Sequence, residues 1–177
     1  MNTKSELRNF AKNLRKTLDI TAISREIVNN IRNSKQYMSA NNVMLFYPLD
    51  NEIDLLPLLS DNKNFYLPRV NEKQLEVCPY SIGNELKLSP YKIKEPLTAP
   101  VNPNVLDVIF VPCLCADKNF NRIGYGGGFY DRFGIYREIT RIIVVPDELV
   151  FEKVPTEVYD LSCDGIITQK KASFLRG

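Results

Sequence analysis

The residues best suited to chemistry lie between Asn121 and Arg132. Four of the eight glycines in this 177-residue chain, Gly124, Gly126, Gly127 and Gly128, fall in five consecutive positions there. Glycine accepts positive φ and lets backbone N–H groups approach an anion closely. A helix starting just beyond would turn its free N–H groups and the positive end of its dipole the same way. Arg122 and Arg132 flank the loop and can add charge-assisted hydrogen bonds to phosphate. A strand, a glycine loop and a helix in that order read as a phosphate cradle. The spacing fits neither G-x-x-x-x-G-K-[ST] nor G-x-G-x-x-G, because the sixth position from Gly124 is Phe129. By themselves the glycines also fit a tight turn. Tyr125, Phe129 and Tyr130 supply flat faces that suit either a planar ligand or a core.

A second set of cations lies near the N-terminus. Lys4, Arg8, Lys12 and Arg15 are spaced four, four and three apart. At about 100° per residue they occupy about 60° to about 140° from Leu7, beside the apolar stripe instead of opposite it. Such a border fits the second wall of an anion site. It also fits long side chains that cover a core edge with their stems.

Absences narrow the chemistry. The chain has no His, which excludes a Ser-His-Asp triad, a Cys-His dyad, H-E-x-x-H zinc chemistry and a proximal-His haem. Acid–base work falls to carboxylates, Lys, Tyr, Cys or the substrate. A net charge of +2 with no long run of like charge does not mark a nucleic-acid binder. Cys78, Cys113, Cys115 and Cys163 lack zinc spacing and read as buried thiols. No apolar run reaches membrane length, and the first helix is polar and charged, so the expectation is a cytoplasmic protein with neither nucleic-acid nor membrane partners.

The elements that must position these residues follow from periodicity. Thr3 and Glu6 can form a capping box opening a helix with Leu7, Phe10, Ala11, Leu14 and Leu18 on one face. Thr21 is the expected cap of a second helix, with Ile23, Ile27, Ile31 and Met38 inward. Residues 43–47, 65–70, 75–80, 85–89, 107–111, 141–145 and 164–168 read as strands, those at 75–80 and 85–89 nearer an edge or antiparallel. A short helix or turn carries Leu55, Leu56 and Leu59. Four prolines make 90–103 an ordered loop, and 129–139 fits a helix weakened at Gly134 by about 1 kcal/mol. The order predicts one domain over 1–177, a three-layer α/β/α fold with a Rossmann-like mixed sheet. Ligands of such sheets sit beyond the carboxyl ends of the strands.

Taken together, these residues resemble the 5-formyltetrahydrofolate cyclo-ligase family. The resemblance runs from Lys4-Ser5-Glu6-Leu7-Arg8 through Tyr47-Pro48-Leu49-Asp50-Asn51-Glu52-Ile53-Asp54, Leu67-Pro68-Arg69, Asp107 to Pro112, Asp117 to Arg132, and Pro155 to Thr168. Arg122 to Asp131 looks like the family signature R-[LI]-G-x-G-x-G-[YF]-Y-D. Tyr159 stands where members often have His, Leu55 where they tend to have Thr, and Phe129 where Tyr is common.

The resemblance implies ATP- and Mg²⁺-dependent ring closure of 5-formyltetrahydrofolate, polyglutamylated forms included; a monomer is expected. It implies that Lys4 and Arg8 hold ATP phosphates. Arg122, Gly124, Gly126, Gly127, Gly128 and Tyr130 would form the nucleotide loop, with Tyr125 and Phe129 also facing folate. Tyr47 and Glu52 fall at substrate positions, Asp131 and Asp160 at metal positions, and Arg122 and Asp131 at catalytic ones. Arg69 and Lys118 are further candidates for contacts with the glutamate tail or with phosphate. A different phosphate-binding enzyme on a similar fold, such as a sugar-phosphate isomerase or CoA-transferase relative, is the first alternative. A non-enzymatic anion-binding module is the second.

Overall fold

The structure, a computed structural model, describes residues 3–134, 136 and 138–175. Three helices come first: α1 (Lys4–Arg15), α2 (Ile20–Arg32) and α3 (Lys35–Ser39). They are followed by β1 (Asn42–Met44), β2 (Asn64–Asn71), β3 (Gln74–Pro79), β4 (Leu86–Leu88), β5 (Lys94–Pro96) and β6 (Val108–Val111). Next are β7 (Cys115–Asp117), β8 (Arg122–Ile123), α4 (Phe129–Phe133), β9 (Thr140–Val144), β10 (Val150–Phe151), β11 (Gly165–Ile167) and β12 (Ala172–Phe174).

The main sheet runs β12-β11-β9-β6-β1-β2-β3. Its five inner strands are parallel, and β3 and β12 close the edges antiparallel. Successive strand residues point to opposite faces, so the apolar runs feed two cores. Val43, Leu45, Val108, Phe110, Ile142 and Val144 meet Ile27, Val28 and Ile31 of α2 and Tyr37 of α3. Met44, Ile109, Val111, Ile143 and Val145 meet Leu7 and Ala11 of α1 and Phe133 of α4. A small sheet, β10-β7-β8, adds Cys115, Ala116 and Ile123 to this second core. The predicted three layers and mixed sheet are therefore present. All four cysteines are free and buried.

The capping box forms as its spacing predicts: Thr3 Oγ1 accepts from Glu6 N at 3.2 Å, and Glu6 accepts from Thr3 N at 3.2 Å. Such a cap stabilises a helix by about 1 kcal/mol. Other expectations needed correction. Asp19, not Thr21, caps α2 by accepting from Ala22 N at 3.0 Å. Ser34 caps a new short helix, which resets the phase, so Tyr37 turns inward and Met38 is 64% exposed. Phe10 lies at the surface, its ring edge-on to Phe151 at 6.1 Å.

The helix expected over 129–139 ends at Phe133, with Gly134 as its cap; positions 135 and 137 lie outside the described residues. The 90–103 segment is partly strand. Its β5 pairs with β4 as a ribbon separate from the main sheet. Among the described residues, no helix is long and apolar enough to cross a membrane.

The layer of α2 and α3 is fastened by a polar group. The Tyr37 hydroxyl donates to Asp61 Oδ2 at 2.7 Å, and Arg32 Nη2 reaches Asp61 Oδ1 at 2.8 Å. Burial pushes the Asp61 carboxyl up, but the Arg32 and Tyr37 bonds outweigh it and hold it below its ordinary value. Tyr37→Phe is expected to cost about 1–3 kcal/mol at pH 7, the worth of a hydrogen bond to a charged group. A depressed carboxyl stabilises above its unfolded value and loses that contribution as it is protonated. The difference between the proteins should therefore shrink below about pH 4, as urea unfolding at both pH values can measure.

Candidate active site

The chain moves from β1 to β2 on one side, while β6, β9 and β11 extend on the other. The loops following β1 and β6 therefore diverge, which opens a crevice at their carboxyl ends. A cleft of about 810 Å³ lies there, walled by Tyr47 to Asn51 after β1, Leu114 after β6, Tyr125 of the glycine loop, Lys12 and Arg15 of α1 and Lys16 at its C-terminal cap. Leu88, Lys92 and Lys94 of the β4–β5 ribbon complete it.

The β1 side carries a buried carboxylate. Residues 49–52 form a turn in which Glu52 N donates to Leu49 O at 3.0 Å. Glu52 Oε2 accepts from Leu49 N at 2.8 Å, so the acid fastens its own turn. Asn51 takes a φ of 61° within it, a conformation that Asn tolerates better than most residues. Burial is the main influence on Glu52 and raises its carboxyl above the ordinary range. The Leu49 amide, a hydrogen bond from Tyr125 and the charge of Arg15 oppose that rise in part. Tyr125 is 40% exposed as a residue while its hydroxyl bonds to Glu52; burial and the neighbouring carboxylate both push that hydroxyl upward. The structure thus brings Glu52 and Tyr125 together, with Tyr47 on the same wall and Lys94 Nζ 5.4 Å from the centre of its ring.

The opposite side is the glycine loop. Gly126 has a φ of 106° and Gly128, the residue before α4, a φ of 67°. A Cβ on Gly127 would lie 2.8 Å from the Phe129 ring. Side chains are excluded here by backbone angle and by space. Arg8 of α1 donates from Nε to Gly124 O at 2.9 Å, and its guanidinium carbon lies 3.9 Å from where a Gly126 Cβ would stand, in ordinary contact. Arg132 donates from Nη2 to Gly127 O at 2.9 Å and stacks over Phe129 at 5.0 Å. The basic stripe therefore does meet the loop.

Beyond the loop, two ion pairs meet. Arg122 Nη1 donates to Asp131 Oδ1 at 2.9 Å, and Leu161 N donates to the same oxygen at 2.9 Å. Lys4 Nζ lies 2.9 and 2.7 Å from the two oxygens of Asp160 and 2.8 Å from Glu157 Oε2. Burial disfavours charge on both Lys4 and Asp160. Their bond outweighs it, raising the amine and lowering the carboxyl. Arg122 is buried, and its Nε has no hydrogen-bond partner among the described residues. A buried cationic donor without an acceptor suits a site built for an anion. No cluster of three or more Asp, Glu or Cys side chains suited to a metal occurs among the described residues. A metal here would rest on one or two carboxylates and on oxygens brought by a ligand, which is the usual situation for Mg²⁺. Tyr130 lies between the two sides, its hydroxyl raised by burial and then by the charge of Glu52.

Three sequence expectations sit differently in space. Arg15 is 2% exposed and its donors are taken by main-chain carbonyls. Arg69 is engaged with Glu76 at 2.8 Å and with the carbonyls of Pro96 and Thr98. Lys118 pairs with Glu152 at the surface, away from the cleft wall. Sequence reasoning missed Lys92, Lys94 and Tyr91, the last edge-on to Phe129 at 5.5 Å. The alternation of Lys92 and Lys94 beside an aromatic was their only signal, hidden in a segment read as loop.

A family model described as the 5-formyltetrahydrofolate cyclo-ligase family matches residues 1–169. A 5-formyltetrahydrofolate cyclo-ligase of Haemophilus influenzae is 29% identical over 173 residues, covering 89% of this chain and 91% of that protein. One from Escherichia coli K12 is 30% identical over 152 residues, covering 75% and 80%. The solved 5,10-methenyltetrahydrofolate synthetase of Aquifex aeolicus superposes with a TM-score of 0.86 at 28% identity, over 98% of this chain and 93% of that one. A cleft at the switch point, a glycine loop facing α1 and a family match over nearly the whole length agree: this chain belongs to the 5-formyltetrahydrofolate cyclo-ligase family.

Proposed function

We propose that the cleft closes the ring of 5-formyltetrahydrofolate to 5,10-methenyltetrahydrofolate with Mg-ATP, releasing ADP and phosphate. The observation that carries the reading is the position of α1. Its Arg8 touches the glycine loop, while its C-terminal residues wall the cleft whose other side is the turn that Glu52 closes from behind. The formamide oxygen is a poor leaving group. Transfer of the γ-phosphoryl group to it lets N10 attack the formyl carbon. The C–O bond then breaks, phosphate departs and the N10 proton is lost.

Most of the protein's task in such a transfer is positioning and charge neutralisation. Glu52 would accept the pterin's amino and ring N–H groups, a carboxylate having sites enough to keep its Leu49 and Tyr125 bonds. Tyr47, Tyr125 and Phe129 would pack against the planar ring. Gly124, Gly126, Gly127 and Gly128 would offer amides to the phosphates, with Arg8, Lys4 and Arg122 supplying charge and Tyr130 backing the loop. Lys12, Lys16, Lys92 and Lys94 line the cleft and suit the carboxylates of a glutamate tail, including a polyglutamate. Asp131 and Asp160 would hold Mg²⁺, whose role when bound is to neutralise phosphate charge. The described bonds of Asp131 all fall on Oδ1, which leaves Oδ2 for that use. Asp160 would first have to exchange Lys4, a swap made possible by phosphates taking the amine. The reading takes the enzyme as a cytoplasmic monomer.

Purified protein given 5-formyltetrahydrofolate should generate the methenyl chromophore only when Mg-ATP is added. Folded protein that produces no absorbance change sinks the proposal. Asp131→Asn should lower turnover about 100-fold or more by removing a metal charge. Near-normal turnover at limiting Mg²⁺ would remove Asp131 from that role. Arg8→Ala should raise the KM for ATP about tenfold, from the loss of one charge-assisted contact.

Glu52→Gln should raise the folate KM about 10- to 100-fold. Its effect on stability has the opposite sense. A carboxyl raised in the folded state stabilises below its unfolded value and loses that contribution as pH rises through the folded one. Relative to wild type, Glu52→Gln should therefore gain stability from pH 4 to pH 7, read as urea midpoints at each.

A further inference from the structure

Arg15 is a buried cation with no carboxylate partner among the described residues. Its Nε donates to Leu114 O at 3.3 Å, and its Nη2 to Cys113 O at 2.7 Å and Leu114 O at 3.1 Å. Its Nη1 donates to Asn51 O at 3.0 Å. The acceptors come from the turn holding Glu52 and from the turn after β6, the two loops that diverge at the switch point. Only a planar guanidinium offers donors in such a fork; an ammonium is a point charge. The positive φ of Asn51 sits at the carbonyl that receives Nη1.

We propose that Arg15 is a positioning residue for the substrate side of the site: it clamps the Glu52 turn against the turn after β6, and it does so from the helix whose Arg8 holds the glycine loop. Helix α1 is then a strut between the two ligand sites, with its N-terminal half at the nucleotide and its last turn at the folate. The inference rests on the reading of Glu52 as the folate-side carboxylate. Arg15 also acts on the charge of that acid. The groups bearing on Glu52 are the Leu49 amide, the Tyr125 hydroxyl, Tyr130, Cys113 and Arg15, and of these Arg15 is the cation.

Two variants separate fork from charge. Arg15→Met removes both; Arg15→Lys keeps the charge and loses the fork. Each would be assayed for KM values, and for the ionisation of Glu52 by infrared difference titration with Glu52→Gln as the blank. In Arg15→Met the folate KM should rise about tenfold or more, the ATP KM should stay within about twofold, and the Glu52 midpoint should move up. In Arg15→Lys the folate KM should rise similarly while the midpoint stays near that of wild type. Should Arg15→Met fail to fold, Arg15→Lys decides. A folate KM equal to that of wild type, or equal rises in both KM values, overturns the clamp. If the wild-type protein neither binds nor converts the folate, the functional reading fails. The infrared midpoints then still decide the clamp: an unmoved midpoint in Arg15→Met, or a shifted one in Arg15→Lys, refutes it.

Discussion

A positive charge taken out of water must be compensated, and the chain compensates Arg15 with peptide carbonyls. That choice constrains everything around it. The carbonyl groups of Cys113 and Leu114 face that guanidinium where the chain passes from β6 to β7. Asn51 must present its carbonyl to the same cation, which fixes the turn that Glu52 closes on itself. The helix that delivers the cation is in turn fastened by its apolar stripe, Leu7 and Ala11, to the second core. The crevice at the switch point has its shape because three segments, far apart in the chain, share one set of donors.

Electrostatics divides the site into two kinds of neighbourhood. Around Glu52 the dominant influence is burial, relieved by an amide, a hydroxyl and a distributed cation, so the acid sits above its ordinary range. Around Lys4 and Asp160 the ion pair wins over burial, and both groups stay charged. The first arrangement suits recognition of a planar ring edge by hydrogen bonds. The second suits exchange, because an incoming polyanion and a cation can each take one member of the pair without leaving the other uncompensated.

Much of the fold was legible because the parallel strands are buried on both faces. Residues 43–47, 107–111 and 141–145 are apolar runs ended by proline, and runs of that kind admit few readings. The strands of β7, β8, β10 and β12 were not legible. At two or three residues each they have no period to read, and they exist because neighbours supply their partners. The cap of α2 was misplaced because Asp19 and Thr21 are both capping residues two positions apart, and sequence alone does not choose between them. At the site, the glycine loop was visible from composition, while helical geometry left the basic stripe open between a wall of that site and a cover for the core edge; the bond from Arg8 to Gly124 O settles that it reaches the loop. The clamp by Arg15 was not, since its acceptors lie 36, 98 and 99 positions away and any residue type could have supplied those carbonyls.

The bonds made by Arg8 and Arg132 have one more result. They end on the carbonyl oxygens of Gly124 and Gly127. In a planar trans peptide the C=O and the following N–H point in opposite directions. Hooking those two oxygens therefore orients the amides of Tyr125 and Gly128 away from the guanidinium groups. The arginines thus pole the loop: in the folded chain the peptide dipoles at these two positions are already aligned, an arrangement that would need no reorganisation to meet an anion.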